Sequence, residues 1–222
     1  MQFDRRGFLA VFLGLGACTT APVETARLPE FNNFLSIDPV RYSIDQGAYL
    51  LTNPNTLTGQ PWEVARLVQG LEFLAVELPA GQGWNVKLPM ASMMVPAARA
   101  EWRAALGIAA DARAQDVIDS LTALRNAYAA RSPSAAAAAL RAPIFSPGGQ
   151  DSLNRFGGAP ALPRTTRAML DARQELAASN NERQNVGRFT IPLSEVAVLP
   201  PNTPARFAFN VGVCRQDDFG NR

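Results

Sequence analysis

The segment that most constrains the fold runs from Pro61 to Pro79. Proline is pre-shaped for the first turn of a helix, and a later proline favours its end. Between the two, apolar residues recur at spacings of three and four, which is the pattern of one helical face: Val64, Leu67, Val68, Leu71, Leu74, Ala75 and Leu78. Further apolar side chains fall outside this stripe: Trp62, Phe73 and Val76. A helix that is apolar on most sides is predicted to lie at the centre of a core.

The same periodicity, with Pro and Gly at the segment ends, predicts four or five helices in all. Beside the helix that begins at Pro61, they cover 96–106, 112–130, a short alanine-rich stretch from Pro133, and 163 to about 179. Gly107 is predicted to cap the first of these at its carboxyl end, because glycine adopts the left-handed conformation at little cost.

Strands are predicted where apolar residues cluster over short distances or alternate with polar ones. Residues 42–44, 49–51 and 84–88 could each form a short strand, and residues 207–213 alternate as a half-buried strand does. The predicted fold class is therefore α+β, with the helices packed on a small antiparallel sheet formed largely by C-terminal strands.

The amino terminus carries a targeting pattern. Arg5 and Arg6 precede an apolar run from Phe8 to Leu15. A basic region followed by a short apolar region is the layout of a secretory signal. The run is too short to span a hydrocarbon core, which needs about 20 residues.

Two motifs within this segment resemble known export signals. Arg5, Arg6, Phe8 and Leu9 stand at the spacing of the bacterial twin-arginine consensus. Asp4 and Ala10 depart from that consensus at its flanks: Ser or Thr is usual at the first position and Lys at the second. Export by the general secretory route therefore stays open.

Leu15-Gly16-Ala17-Cys18 resembles the lipobox of bacterial lipoproteins. The resemblance implies cleavage before Cys18, a diacylglyceryl thioether on its sulfur, and acylation of the new amino terminus. Acyl chains on that one residue would anchor the chain stably in a membrane. Position 19 holds Thr and not the Asp that signals inner-membrane retention in familiar cases, which favours the outer membrane. The alternatives are a signal cut by another peptidase, or an uncleaved apolar tail.

The domain organisation predicted from these features has three parts. Residues 1–17 are a signal peptide, 18–30 a flexible lipidated tether, and 31–222 a single globular domain with a Gly/Pro-rich loop at about 143–163. The net charge of +2 falls to +1 when Asp4, Arg5 and Arg6 leave. A near-neutral chain gives no electrostatic basis for binding nucleic acid.

The amino-acid composition excludes most common catalytic mechanisms. The chain has no histidine, so no Ser-His-Asp or Cys-His catalysis is available. With Cys18 lipidated, Cys214 is the only other cysteine, and it cannot make a zinc site or an internal disulfide alone. The sequence also lacks the glycine-rich fingerprints of nucleotide-binding loops. We therefore predict no metal site and no cofactor.

Glu72 is the one weak catalytic candidate. It lies beside Phe73 on the most apolar helix, where a carboxyl group can have a raised pKa and act as the general acid of a glycosidase. Alternatively, Glu72 and Gln69 form the polar strip of that helix, where charged residues find water or a partner.

Together these observations predict a lipid-anchored protein on the periplasmic face of a bacterial membrane. Its expected role is non-catalytic: structural, assembly or accessory-subunit, with a possible protein partner in the envelope. The alternative is a carboxylate-dependent hydrolase of envelope glycans that uses Glu72.

Overall fold

The computed structural model describes residues 24–29, 38–81 and 83–186, with side chains through residue 181. Within these ranges the elements follow in this order: α1 (Pro39–Thr52), a 3-10 turn (Pro54–Thr56), α2 (Pro61–Ala80), α3 (Trp84–Lys87), α4 (Pro89–Leu106), α5 (Ala114–Ala129), α6 (Pro133–Ala139), α7 (Gly149–Gly157) and α8 (Pro163–Val186). One compact unit ends at Asn181. Of the unit that begins at Glu182, only the α8 backbone through Val186 is described.

The predicted α+β class is wrong for the part of the chain that the structure describes. That part contains eight α-helices, and not the four or five predicted, and it contains no β-strand. Its isolated antiparallel bridge joins Ile108 to Phe145 and does not extend into a ladder. The expected strand at 207–213 lies outside the described residues, so the sheet as predicted has no described member.

Helix α1 replaces the strands predicted at 42–44 and 49–51. Its buried positions recur at helical spacing, but several are small or polar and so escape a hydrophobicity pattern: Val40, Ser43, Ile44, Gly47, Ala48 and Leu50. The start is set by Asp38, whose side chain accepts hydrogen bonds from the backbone N–H groups of Val40 and Arg41 at 2.8 and 3.2 Å. The N-terminal cap and the packing of small residues therefore favour a helix over strands in this segment.

The strand predicted at 84–88 is also wrong, because this segment forms the one-turn helix α3. Gly83 precedes it in the left-handed conformation, with φ of +79°, which redirects the chain. The Leu88 N–H donates back to the Trp84 carbonyl oxygen at 2.7 Å and closes the turn.

Helix α2 is confirmed as the central element. Thirteen of its twenty residues are buried, and α1, α4, α5 and α7 all pack against it. Gly107 is confirmed as the C-terminal cap of α4, with φ of +70°. A Cβ atom there would lie 2.2 Å from the Ser146 carbonyl oxygen, so only glycine fits.

Other boundaries differ from the sequence prediction. Helix α4 begins at Pro89 and not at Pro96, which lies inside the helix. The predicted loop at 143–163 contains α7, and α8 continues past residue 179 to Val186.

Helices α4 and α8 cap each other. Glu175 of α8 accepts hydrogen bonds from the N–H groups of Met90 and Ala91 at the start of α4, at 3.1 and 2.9 Å. Glu101 of α4 accepts from the N–H groups of Arg164 and Thr165 at the start of α8, at 3.1 and 2.7 Å. Two antiparallel helices thus satisfy each other's first donors, and each carboxylate meets a positive dipole end.

The two caps differ from ordinary ones because each carboxylate comes from the facing helix. Partial burial acts to raise the pKa of Glu101, but hydrogen bonds from the Thr165 hydroxyl and backbone outweigh it, so the pKa lies below its usual value. The cap at α8 is therefore charged at neutral pH.

We expect Glu101→Ala and Glu175→Ala each to lower the free energy of unfolding by about 0.5–2 kcal/mol, as lost N-terminal caps do. Arg173 is exposed on the same helix as Glu175, so Arg173→Ala should change the free energy of unfolding by no more than about 0.5 kcal/mol. Urea denaturation followed by circular dichroism measures all three. Equal effects of the Glu175 and Arg173 changes would rule out the capping role.

Candidate functional site

The predicted targeting residues lie outside the described ranges. These are Arg5, Arg6, Phe8, Leu9 and Cys18. Among described residues, no helix has the length and apolar character needed to cross a bilayer. Nor does that part of the chain hold a group of three or more side chains suited to a metal ion. Glu72 is the one predicted candidate whose surroundings the structure shows.

Glu72 is fully buried, with 0 % of its surface exposed, and it accepts five hydrogen bonds from α4. Its Oε1 accepts from the Trp102 indole N–H and from Arg103 Nε, both at 2.8 Å. Its Oε2 accepts from Arg103 Nη2 at 2.7 Å and from Arg99 Nη2 and Nε at 2.8 and 3.0 Å. The carboxylate is thus enclosed by donors on both oxygens.

The donors share one face of α4. Arg99, Trp102 and Arg103 stand at positions i, i+3 and i+4, which lie side by side on a helix. Arg103 also donates from Nη1 to the carbonyl oxygens of Ala109 and Ala110 at 3.0 and 2.9 Å. Its guanidinium therefore links α2, α4 and the chain between α4 and α5.

Glu24 brings the amino-terminal segment into the same network. Its Oε2 accepts from Arg99 Nη1 at 3.1 Å, and its Oε1 accepts from the backbone N–H of Ala114 at the start of α5. We call the five side chains together the Glu72 cluster: Glu24, Glu72, Arg99, Trp102 and Arg103. Two carboxylates balance two guanidinium groups, as buried charges require.

The second half of the predicted flexible tether is therefore packed on the domain. Ala26 and Leu28 are buried, and the Arg27 N–H donates to Gln115 Oε1 at 2.8 Å. Only residues 19–23 separate this docked segment from Cys18. The sequence does not predict this docking, because the docking depends on Arg99, which lies 75 residues after Glu24 in the chain.

The electrostatics of the cluster favour the charged form of its two part-buried members, Glu24 and Arg99. Partial burial acts to raise the pKa of Glu24, but Arg99 and the Ala114 N–H outweigh it and lower the pKa below its usual value. Burial likewise acts to lower the pKa of Arg99, and Glu24 and Glu72 outweigh it and raise that pKa.

This geometry argues for a structural role of Glu72. A general acid must come within hydrogen-bond reach of its substrate. Glu72 has no exposed surface, and both of its oxygens are already used by α4. Glu72 and Gln69 thus form the polar strip of α2, and both have hydrogen-bond partners. Gln69 donates to Thr122 Oγ1 at 2.7 Å and to the Ile118 carbonyl oxygen at 3.1 Å.

A surface groove lies where α2, α5 and the docked segment meet. The rings of Trp62 and Tyr128 have centroids 5.2 Å apart and a tilt of 48°, and the groove encloses about 660 Å³. We call it the Trp62 groove, and its lining residues are Pro29, Trp62, Thr122, Arg125, Asn126, Tyr128 and Ala129. Gln69 positions two of them, because its Oε1 accepts from Arg125 Nη1 at 2.9 Å while its amide holds Thr122.

The chemistry of the Trp62 groove is that of a binding surface. Aromatic rings offer large rigid contact areas, and Tyr, Trp and Arg are enriched at the centres of protein interfaces. Burial raises the pKa of Tyr128, so its hydroxyl stays neutral as a hydrogen-bond donor. The sequence signal for this groove was weak, since Trp62 and Tyr128 lie 66 positions apart in the chain and each resembles a packing residue.

No protein-family model, curated protein or solved structure matches this chain. The roles of the Glu72 cluster and of the Trp62 groove therefore follow from the contacts of these residues. In the cluster, Glu72 has no exposed surface and its oxygens are occupied by donors, whereas the groove exposes aromatic and amide groups. Of the two, the groove is the better candidate for contact with another molecule.

We expect Glu72→Gln to lower the free energy of unfolding by about 3–5 kcal/mol, because two guanidinium groups would lose their buried counter-charge. Glu63→Gln provides the matched control on the same helix. Glu63 pairs with Arg66 near the surface, and its loss should cost about 1 kcal/mol or less. Chemical denaturation measures both, and equal destabilisation would contradict the account of the cluster.

We expect docking of residues 24–28 to weaken in acid. The pKa of Glu24 is lower in the folded protein than in the unfolded chain, so its stabilisation is present above the unfolded pKa and is lost as the pH falls through the folded pKa. The melting temperature of Glu24→Gln should therefore lie below that of the wild type at pH 7. This difference should shrink towards zero as the pH falls, because Gln cannot titrate; a pH-independent difference would refute the ion-pair role.

Proposed function

We propose that this chain is a lipid-anchored envelope protein that acts by binding a partner, as a structural, assembly or accessory subunit, and not by catalysis of its own. It would sit on the periplasmic face of a bacterial membrane, with the outer membrane favoured by Thr19. The observation that carries the proposal is the complete burial of Glu72 among hydrogen-bond donors. The side chain required by the alternative, a glycan hydrolase, is sealed inside the fold and saturated with donors.

The docked segment supports the anchoring part of the proposal. A lipid on Cys18 would be joined to the domain through five residues, because Glu24 is already fixed to Arg99 and Ala114. A short connection holds the domain close to the membrane surface.

The Trp62 groove supports the binding part. Its lining combines an aromatic pair, an amide and a guanidinium group on one accessible surface. Trp62 is 37 % exposed, although a Trp side chain is costly to leave in water. A protein partner that covers the groove would bury this ring and use the polar rim for hydrogen bonds.

Labelling and affinity purification test both parts. Labelled palmitate should enter the wild type and not Cys18→Ser. From solubilised membranes of the producing bacterium, the wild type should be recovered with a stoichiometric protein partner. Trp62→Ala should lose that partner, because truncation of an aromatic anchor typically costs 2 kcal/mol or more, or about 30-fold in affinity.

Tyr49→Ala is the matched control, since Tyr49 is an exposed aromatic residue outside the groove. It should keep the partner. Palmitate in the Cys18→Ser chain would end the anchoring claim. A lone monomer in every purification, or equal loss with both aromatic changes, would end the binding claim.

A further inference from the structure

Exposed apolar side chains gather at the junction of α3 and α4. Val86, Met90 and Met93 expose 79 %, 56 % and 71 % of their surfaces, and they fall within eight consecutive residues. With Lys87, the only lysine in the sequence, they form what we call the α3–α4 patch. Scattered exposed apolar residues are ordinary, but large ones gathered in one place mark a contact surface for protein or membrane.

The fold forces these side chains outward. The inner side of the same segment is occupied by Trp84, Leu88, Ala91 and Val95, all buried. Met90 and Met93 are three residues apart on the other side of α4, and the Met90 N–H is held by Glu175. The patch is therefore presented by capped, packed helices.

Two cations lie beside Trp84 at this junction: Lys87 of the patch, and Arg41 of α1. The Lys87 Nζ lies 4.9 Å from the centre of the Trp84 ring, and the Arg41 guanidinium carbon lies 5.9 Å from it. Lysine beside apolar side chains can extend its ammonium group to lipid phosphates while its stem stays in apolar surroundings. Unbranched Met side chains adapt to irregular surroundings such as acyl chains.

The length of the amino-terminal connection allows the predicted anchor to reach this patch. Glu24 is bound to Arg99 of α4, and Arg99 lies six residues after Met93, or about 9 Å along the helix axis. Glu24 lies six positions after Cys18, and a fully extended chain of that length spans at most about 20 Å. Acyl chains on Cys18 would therefore start within reach of the α4 surface.

We propose that the α3–α4 patch rests in the interface of the same bilayer that holds the acyl chains of Cys18. The inference depends on the proposed lipid anchor. The anchor makes contact between patch and bilayer intramolecular, so even a weak apolar contact becomes populated. Interfacial binding grows with buried apolar area and with attraction of cations to anionic lipids, and the patch supplies both. Two attachments, one covalent and one through the patch, fix the orientation of the domain.

Fluorescence quenching tests this contact in the lipidated full chain. Cys214→Ser removes the spare thiol, and Met93→Cys or Gln150→Cys introduces one labelling position. Gln150 is exposed on α7, near the opposite end of α4, where Arg155 of α7 approaches Gly107. Each labelled protein is reconstituted into vesicles of phosphatidylethanolamine and phosphatidylglycerol, with or without a nitroxide-labelled lipid.

The label at position 93 should lose about half of its fluorescence or more with the nitroxide lipid, since interfacial side chains lie about 5–10 Å into the headgroup region. The label at position 150 should stay close to its unquenched value. Equal quenching at both positions, or none at position 93 in protein that floats with vesicles, overturns the patch contact alone. Protein that carries no lipid and stays in the soluble fraction overturns the proposed anchor, and the patch contact with it.

Discussion

The fold depends on one buried carboxylate. Glu72 stands in the middle of the central helix α2, and it is surrounded there by apolar residues that could have packed without it. Burial of its charge is tolerated because Arg99, Trp102 and Arg103 supply five hydrogen bonds in good geometry. We expect such a site to favour one register of α2 against α4, since a shift by one residue would leave the charges of Glu72 and Arg103 buried without partners. The cluster is therefore expected to help specify how α2 and α4 pack together.

The same charges connect the core to the amino terminus. Arg99 binds Glu72 on one side and Glu24 on the other, so the segment that follows the predicted lipid site is part of the domain. This arrangement has a consequence for a membrane-anchored protein. If Cys18 carries the proposed lipid, only residues 19–23 would lie between the anchor and the packed segment, and not a long flexible linker. In the proposed anchored protein, the α3–α4 patch would meet the bilayer and the Trp62 groove would meet a partner.

Part of this account could be predicted from the sequence. Helix α2 was predictable because large apolar residues mark its buried face, and Gly107 because a left-handed cap favours glycine. The strands predicted within α1 and α3 were wrong for a physical reason. The buried face of α1 uses Ser43, Gly47 and Ala48, which carry little hydrophobic signal, and α3 depends on a turn at Gly83. The Glu72 cluster was beyond sequence reasoning, because partners 27 to 75 residues apart must first be brought together by folding.

Hydrogen exchange at two backbone groups tests the central claim most directly, namely that Glu72 holds the amino-terminal segment in place through Arg99. The N–H groups of Ala114 and Arg27 donate to Glu24 and Gln115, and both should be protected in the wild type. In Glu72→Gln, Arg99 loses its inner partner. Under conditions where this variant remains folded, the N–H groups of Ala114 and Arg27 should exchange markedly faster than in the wild type, and faster than the other N–H groups of α5. Unchanged protection of both groups in the folded variant would contradict the claim.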